Sequence, residues 1–269
     1  MYRTSYERVG WQRDDDMTAA SGSSGGSDPA RSLALLWRPP APPGARAGLS
    51  VDRIVAAAIE LADAEGLGAL SMRRVAEKLG AGTMSLYTYV PAKAELIDCM
   101  VDTVYGEVAD PAAEAGGWRT RLEAVARASH ALYLRHPWML QAATGRPGLG
   151  PNAVAKYDAE LRTVDGLGLD DVEMDWVVAM VASFVHGAAR EAVEAARTAQ
   201  RSGLTDEEWW RASEPFLARV FDPARHPLAA RVGAAAGAAH NAASDPAHAF
   251  EFGLQRLLDG IEVLVKARA

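Results

Sequence analysis

The sequence predicts an all-α protein with two domains: an N-terminal three-helix, homeodomain-like helix-turn-helix domain and a larger C-terminal helical domain. Three observations predict it. Apolar residues recur at helical spacing through most of the chain beyond residue 46, and no alternating run reads as a strand. Residues 70–100, LSMRRVAEKLGAGTMSLYTYVPAKAELIDCM, hold two short helical patterns split by Gly80-Ala81-Gly82. The later patterns open on capping signals and are mostly joined by short connections, the arrangement of a bundle. The expected division is a disordered tail over 1–46, the helix-turn-helix domain over 47–107 and the larger helical domain over 108–269.

Residues 1–46 include SGSSGGS at 21–27 and PPAPPG at 39–44, compositions that bury too little apolar surface to order themselves. Trp37 and Arg38 are the tail's candidates for weak docking, and Arg46 for a minor-groove contact. Met17 is a second candidate start. Ser50 is the expected N-cap of a first helix, whose face is Ile54, Ala57, Ala58 and Leu61 and which ends near Gly66. Met72, Val75, Ala76 and Leu79 form the inward stripe of a second helix, and Gly80 suits its left-handed end. A short third helix over about 83–90 stops at Pro91, which lacks an amide donor. From 92 to about 107, Leu96, Ile97, Met100, Val101, Val104 and Tyr105 give an apolar face broad enough for a helix packed between two layers.

The C-terminal part continues with Leu122, Val125, Ala126, Ser129, Leu132 and Tyr133 on one stripe, broken at His136-Pro137. A loop over 145–151 and a helix over 152–167 follow. Asp170 with Glu173, and Thr205 with Glu208, have the spacing of capping boxes. They open a long helix through Val172, Val177, Val181 and Ala188, and another through Trp209 and Trp210. Residues 223–246, rich in alanine and glycine, read as a mobile loop. A last helix over 247–266 carries Phe250, Leu254, Leu257, Leu258, Ile261 and Val265.

The net charge of −7 argues against a protein that coats nucleic acid over its whole surface. It leaves room for one contact patch: over 71–93, Arg73, Arg74, Lys78 and Lys93 oppose a single anion, Glu77. The one cysteine, Cys99, excludes an internal disulfide and sits in an apolar stripe as a small buried hydrophobe. No uncharged apolar run of about 18 residues reads as a membrane span, since the longest candidate, 176–189, contains His186. The N-terminus has no apolar signal core, so a cytoplasmic location is expected.

The short third helix suits a major groove about 12 Å wide. Gly82, Thr83, Met84, Ser85 and Thr88 are slender, with hydroxyls for base edges and phosphates and a thioether for a thymine methyl. Tyr87 and Tyr89 bring hydroxyls near the backbone, while Arg73 and Lys93 supply charge at the flanks, Lys93 at a helix start that itself favours phosphate. Leu86 and Val90 are expected in the core.

Leu70-Ser71, Ala76, Leu79-Gly80, Leu86-Tyr87 and Lys93, at these offsets, resemble the DNA-binding domain of the TetR family of bacterial transcription regulators. Trp118-Arg119, His136-Pro137-Trp138, Gly145-Arg146-Pro147 and Gly150-Pro151-Asn152, with Phe184 and Gly187, resemble the C-terminal domain of the tetracycline-repressor class. The resemblance spans about 49–265 and implies a homodimer that binds a palindromic operator and leaves it when a small ligand enters the C-terminal domain. It places base and phosphate contacts on Arg73, Thr83, Ser85, Tyr87 and Lys93. One departure stands out. The class's magnesium-holding histidine falls on Ala142 and a nearby threonine on Gly145, so Glu191, at the ligand-glutamate position, would make no metal site alone. No metal and no cofactor are expected.

The expected effector site is an apolar cavity lined by Trp138, Trp176, Met180, Phe184 and Trp209, with His130, His186 and Arg190 as its polar groups. The partners are then double-stranded operator DNA, a small apolar or aromatic effector and a second copy of the chain, with no membrane. The last helix and the one opened by Asp170 are apolar enough to form a four-helix bundle across a dimer. An activator of the same fold is the alternative, followed by a helical small-molecule enzyme. Against the enzyme, the chain shows no nucleophile elbow, phosphate loop or paired acid–base motif.

Overall fold

A computed structural model describes residues 29–39, 48–109, 115–142, 148–242 and 244–268. Among the described residues the structure is helical, with no strand. The expectations for 1–28, for Arg46 and for the Gly145-Arg146-Pro147 turn lie outside them.

The reading head is built from α2 (Val51–Glu65), α3 (Met72–Leu79) and α4 (Thr83–Tyr89), backed by α5 (Lys93–Tyr105). Ser50 caps α2, accepting the Arg53 amide, and Ser71 caps α3, accepting the Arg74 amide. Ile54, Ala58, Val75, Leu86, Val90, Leu96 and Met100 form one core. Cys99 lies in it, 2% exposed, and burial pushes its thiol up to about 11.

The second domain contains α6 (Trp118–Arg135), the short α7 (Met139–Ala142), α8 (Pro151–Leu161), α9 (Asp171–Ser202) and α12 (Pro246–Arg268). Leu122, Ala126, Val178, Val181, Val185, Leu254, Leu258 and Ile261 close its core, where α6, α9 and α12 meet. Both expected capping boxes are present, at Asp170/Glu173 on α9 and Thr205/Glu208 on α10 (Asp206–Val220).

Three expectations are corrected. The tail is not structureless throughout: Pro29–Leu36 forms α1, because Leu35 and Leu36 pack on the reading-head core. The segment 223–246 is not a loop but holds α11 (Pro227–His240). Its alanines have the highest helix propensity, and Gly237 lets it close on Trp210, whose Cζ2 would lie 3.2 Å from an added Cβ. Helix α8 ends at Leu161, short of 167. Helix α9 is long and apolar enough, by length and composition, to cross a membrane, but its run is interrupted by Glu173 and Asp175, and it packs on α6, α8 and α12.

Candidate functional site

The geometry of the reading surface starts at Gly80. Its left-handed backbone (φ 64°, ψ 30°) ends α3, and its amide donates to the Ala76 and Glu77 carbonyls. The chain then turns through Ala81 and Gly82 into α4. Leu86 and Val90 are fully buried and pin α4 to α2 and α3 from one side. The opposite side is therefore turned outward: Met84 is 78% exposed, and Ser85, Tyr87, Thr88 and Tyr89 are exposed with it. Gly82 is exposed at the helix entrance, and Thr83 is half-buried.

The surrounding cations divide into two groups. Arg74 makes a two-pronged pair with Glu65, at 2.6 and 2.9 Å, and Lys78 pairs with Glu60 at 2.9 Å. Both point back to α2. Arg73 meets Glu77 only at 3.4 Å across an exposed helix turn, and Lys93 is exposed at the start of α5, with no ion pair among the described residues. The two cations chosen from sequence are thus the two whose charge is least committed within the molecule. The uncapped amides at the start of α5 add a partial positive charge beside Lys93.

A cavity of about 220 Å³ lies between α5, α6 and α8. Tyr105, Val108 and Val125 line it together with Asn152, Lys156 and Glu160. Lys156 pairs with Glu160 and stands 5.5 Å from the centre of the Tyr105 ring. Beside it, Ser129 is buried with an unpartnered hydroxyl. The Tyr133 phenol is pushed far up by burial, with Tyr105 adding to the effect.

The start of α8, which carries Asn152 into the cavity wall, is held by one carboxylate. Asp102 of α5, 7% exposed, accepts the Ala153 amide at 2.9 Å and the Asn152 side-chain amide at 3.3 Å. Gly150 lets the loop approach, since an added Cβ would lie 2.2 Å from the Asp102 Oδ1.

None of the eight residues expected to line the effector site borders this cavity, but His130 lines a more open hollow of about 440 Å³ between α6 and α12, and Trp138 lines one of about 530 Å³ between α2 and α9. Trp138 is buried where the two domains meet, its indole N–H donating to Asp63 at 2.7 Å. Trp176, 66% exposed, and Met180 lie on the outer face of α9, and Trp209 is half-exposed on α10. Arg190 is exposed and donates to the Leu140 carbonyl. His130 stacks on Phe250 at 4.0 Å, Phe184 stacks on the same ring at 5.9 Å, and His186 meets the edge of Tyr133. Burial depresses both histidines, and both Nε2 atoms are buried without a partner. The helical spacing that suggested a common lining instead distributes these residues over two faces of α9 and three further elements.

Sequence reasoning missed Tyr105, Asn152, Lys156 and Glu160 as a group, and also the domain junction. There, His136 is buried with Nδ1 2.7 Å from Asp63 and Nε2 3.2 Å from Glu107, joining α2, α5 and the α6–α7 corner. The Lys156–Glu160 spacing of one helical turn was the one available signal. At the class's metal-ligand positions, Ala142 is buried and Glu191 exposed, and the described residues hold no His, Cys, Asp or Glu cluster arranged for a metal.

Comparisons with known proteins agree with this geometry. Residues 110–265 match the family described as tetracyclin repressor-like, C-terminal domain, and residues 54–100 match the bacterial regulatory proteins of the tetR family. The chain is 46% identical over 261 residues to the HTH-type transcriptional repressor DrrR1 of Streptomyces coeruleorubidus, covering 95% of this chain and 94% of the relative. The crystal structure of apo ActR from Streptomyces coelicolor is similar with a TM-score of 0.70 and 29% identity, over 84% of this chain and 100% of ActR. The complex of ActR with actinorhodin is similar with a TM-score of 0.67 and 28% identity, over 81% of this chain and 99% of that one.

Proposed function

Because the chain belongs to the TetR family of bacterial regulators, we propose that it is a homodimeric transcriptional repressor that holds an operator through α4 and releases it when a small molecule occupies the α5–α6–α8 cavity. The observation that carries this reading is the double membership of α5. It packs on α2 in the reading head, and with α8 it walls the cavity. A molecule that moves α5 therefore moves the reading head.

The cavity volume sharpens the mechanism. At about 220 Å³ it is below the roughly 300–1,000 Å³ of a pocket for a drug-sized ligand. Such an effector must widen the joint between α5 and α8 to enter. Its binding energy is then spent on one domain arrangement over another, which is what a ligand needs in order to shift an equilibrium. The lining suits a planar or aromatic effector with hydrogen-bonding edges: Tyr105, Val108 and Val125 offer apolar contact, while Asn152, Lys156 and Glu160 offer donors and acceptors. The relative named as a repressor supports repression over activation, and the ActR complex supports control by a small molecule.

On the DNA, Met84, Ser85, Tyr87 and Thr88 form the outward face of α4, with Gly82 and Thr83 at its entrance, Tyr89 at its end, and Arg73 and Lys93 at its flanks. This is a reading head whose central contacts are hydroxyl and methyl groups and whose charge is peripheral. Two heads on one dimer would read half-sites about 34 Å apart, or a multiple of that. The dimer surface we assign to Val172, Trp176 and Met180 on α9 with Phe252 and Val263 on α12, all exposed apolar residues in helical register. A Trp176→Glu chain is expected to sediment as a monomer while keeping its helix content; a dimer undisturbed by that charge would place the interface elsewhere.

The deciding experiment is a gel shift with the intergenic DNA beside the gene, titrated with aromatic small molecules, actinorhodin among them. Wild type is expected to retard the DNA and Tyr87→Ala to lose retardation while folding normally. Unchanged binding by Tyr87→Ala and Lys93→Ala together would remove α4 from the interface. Substrate turnover by a chain that binds no DNA would favour the enzyme.

A further inference from the structure

We propose that residues 29–38 act as an intramolecular strap that ties the loop opening α8 to the reading head and so sets how readily the α5–α8 joint opens. The regulatory half of this statement rests on the function proposed above; the mechanical half does not.

The strap has three attachments. Helix α1 lies along α5, with Leu35 and Leu36 against the reading-head core. Arg38 pairs with Asp52 in the first turn of α2 and donates to the Leu35 carbonyl at 3.0 Å, which closes α1 and fixes it to α2 together. Between them, the Trp37 indole N–H crosses to the other domain and donates to the Leu149 carbonyl at 2.8 Å, across 112 residues of chain. Leu149 precedes Gly150, and the Asp102 bond to Ala153 lies just beyond it. The loop that opens α8 is thus held from two sides, by Asp102 on α5 and by Trp37 on the strap.

Position gives this tie its consequence. The joint it spans is the one an effector must widen, because α5 and α8 are two of the cavity's three walls. Trp37 and Leu149 are both more than half exposed. Their bond is a latch on the surface and not part of a core, so it can open without unfolding either domain. A latched strap favours the narrow joint, and an open one lowers the resistance to widening.

The test uses the full chain as wild type, Trp37→Phe, Arg38→Gln and the double variant, each first checked for unchanged thermal unfolding of the helices. Trp37→Phe keeps an aromatic ring and removes only the donor. In the free protein, amide hydrogen exchange over 148–155 is expected to be about fivefold faster in Trp37→Phe, the population change that follows loss of one hydrogen bond, with exchange in α3 and α4 unchanged. Equal exchange over 148–155 in wild type and the variants would overturn the strap. In the second arm the same chains are saturated with the DNA that the wild type retards. DNA is expected to slow exchange over 148–155 in wild type and to do so much less in the double variant. Equal protection in both would overturn the coupling. A wild-type chain that retards no DNA counts against the regulator reading instead, and the free-protein arm then decides the strap by itself.

Discussion

Gly150→Ala tests the joint between the two domains at a single atom. At φ −78° the backbone of Gly150 accepts any residue, so the cost is purely one of space. The new Cβ would lie 2.2 Å from Asp102 Oδ1 and 2.4 Å from its Cγ, distances no carbon can hold. The carboxylate must withdraw, and it then loses the Ala153 amide at 2.9 Å and the Asn152 amide at 3.3 Å. Hydrogen bonds to a charged group contribute about 1.5–3 kcal/mol each, and the buried partners left behind add to the loss. The lower chain entropy of alanine in the unfolded state returns about 0.4–1 kcal/mol. A net destabilisation of about 2–6 kcal/mol follows, or a fall in melting temperature of roughly 4–24 °C for a chain of this size. Gly148→Ala is the control. Its Cβ would meet the nearest atom, the Ala153 Cβ, at an ordinary 3.4 Å, so it should melt within a degree or two of wild type. Thermal unfolding followed by circular dichroism measures both. The decisive cycle adds Asp102→Ala: without the carboxylate, Gly150→Ala should cost less than about 0.5 kcal/mol. If it costs the same with and without Asp102, the steric argument is refuted.

Four further outcomes are expected. Lys93→Ala should weaken all DNA sequences about equally and reduce the slope of log affinity against log salt by about 1, whereas Thr83→Ala should change base preference at a cost of about 1–3 kcal/mol; footprinting and salt titration separate them. Asp63→Ala strips the acceptor from both the His136 ring and the Trp138 indole, two buried donors, and should destabilise by about 2–4 kcal/mol in thermal unfolding. His130 and His186 are held below the ordinary 6.5 by burial. Their contribution is therefore complete above that value and is lost as pH falls through the lower folded values, because the unfolded chain takes up the protons first; a His130→Phe, His186→Phe chain should show a flatter melting profile on acidification below pH 6.5. Cys99, with its thiol raised to about 11 by burial, should resist a thiol reagent at pH 8 in the folded chain and react at once in denaturant.

The reading head was legible in the sequence because its signals are local. A serine cap, an apolar stripe of period 3.6, a glycine at a left-handed turn and a proline stop act within a few residues of one another. Ser50, the Met72–Leu79 stripe, Gly80 and Pro91 therefore stand where the pattern puts them. The capping boxes of α9 and α10 were legible for the same reason. The cavity between α5, α6 and α8 was not. Large aromatics at helical spacing state that a helix has an apolar face without stating what meets that face, and on α9 one face meets α6 and α12 while Trp176 and Met180 remain outside. The residues that line that cavity, Tyr105, Asn152 and Lys156 among them, come from two helices about fifty positions apart and share no pattern. The strap at 29–38 was hidden by composition, since eight helical residues lie between flexible-looking segments and their hold depends on Asp52 and Leu149 far along the chain.

By itself the sequence determined the fold class and the outward face of α4, because periodicity, caps and turn residues are properties of neighbours, and its motif residues carried the resemblance to the family. Only the tertiary structure decided where the cavity lies, that Asp63, Glu107 and His136 meet at the domain junction, and that the tail's Trp37 reaches Leu149. Those facts depend on which helix surfaces find each other in space, and no short-range rule along the chain encodes that choice.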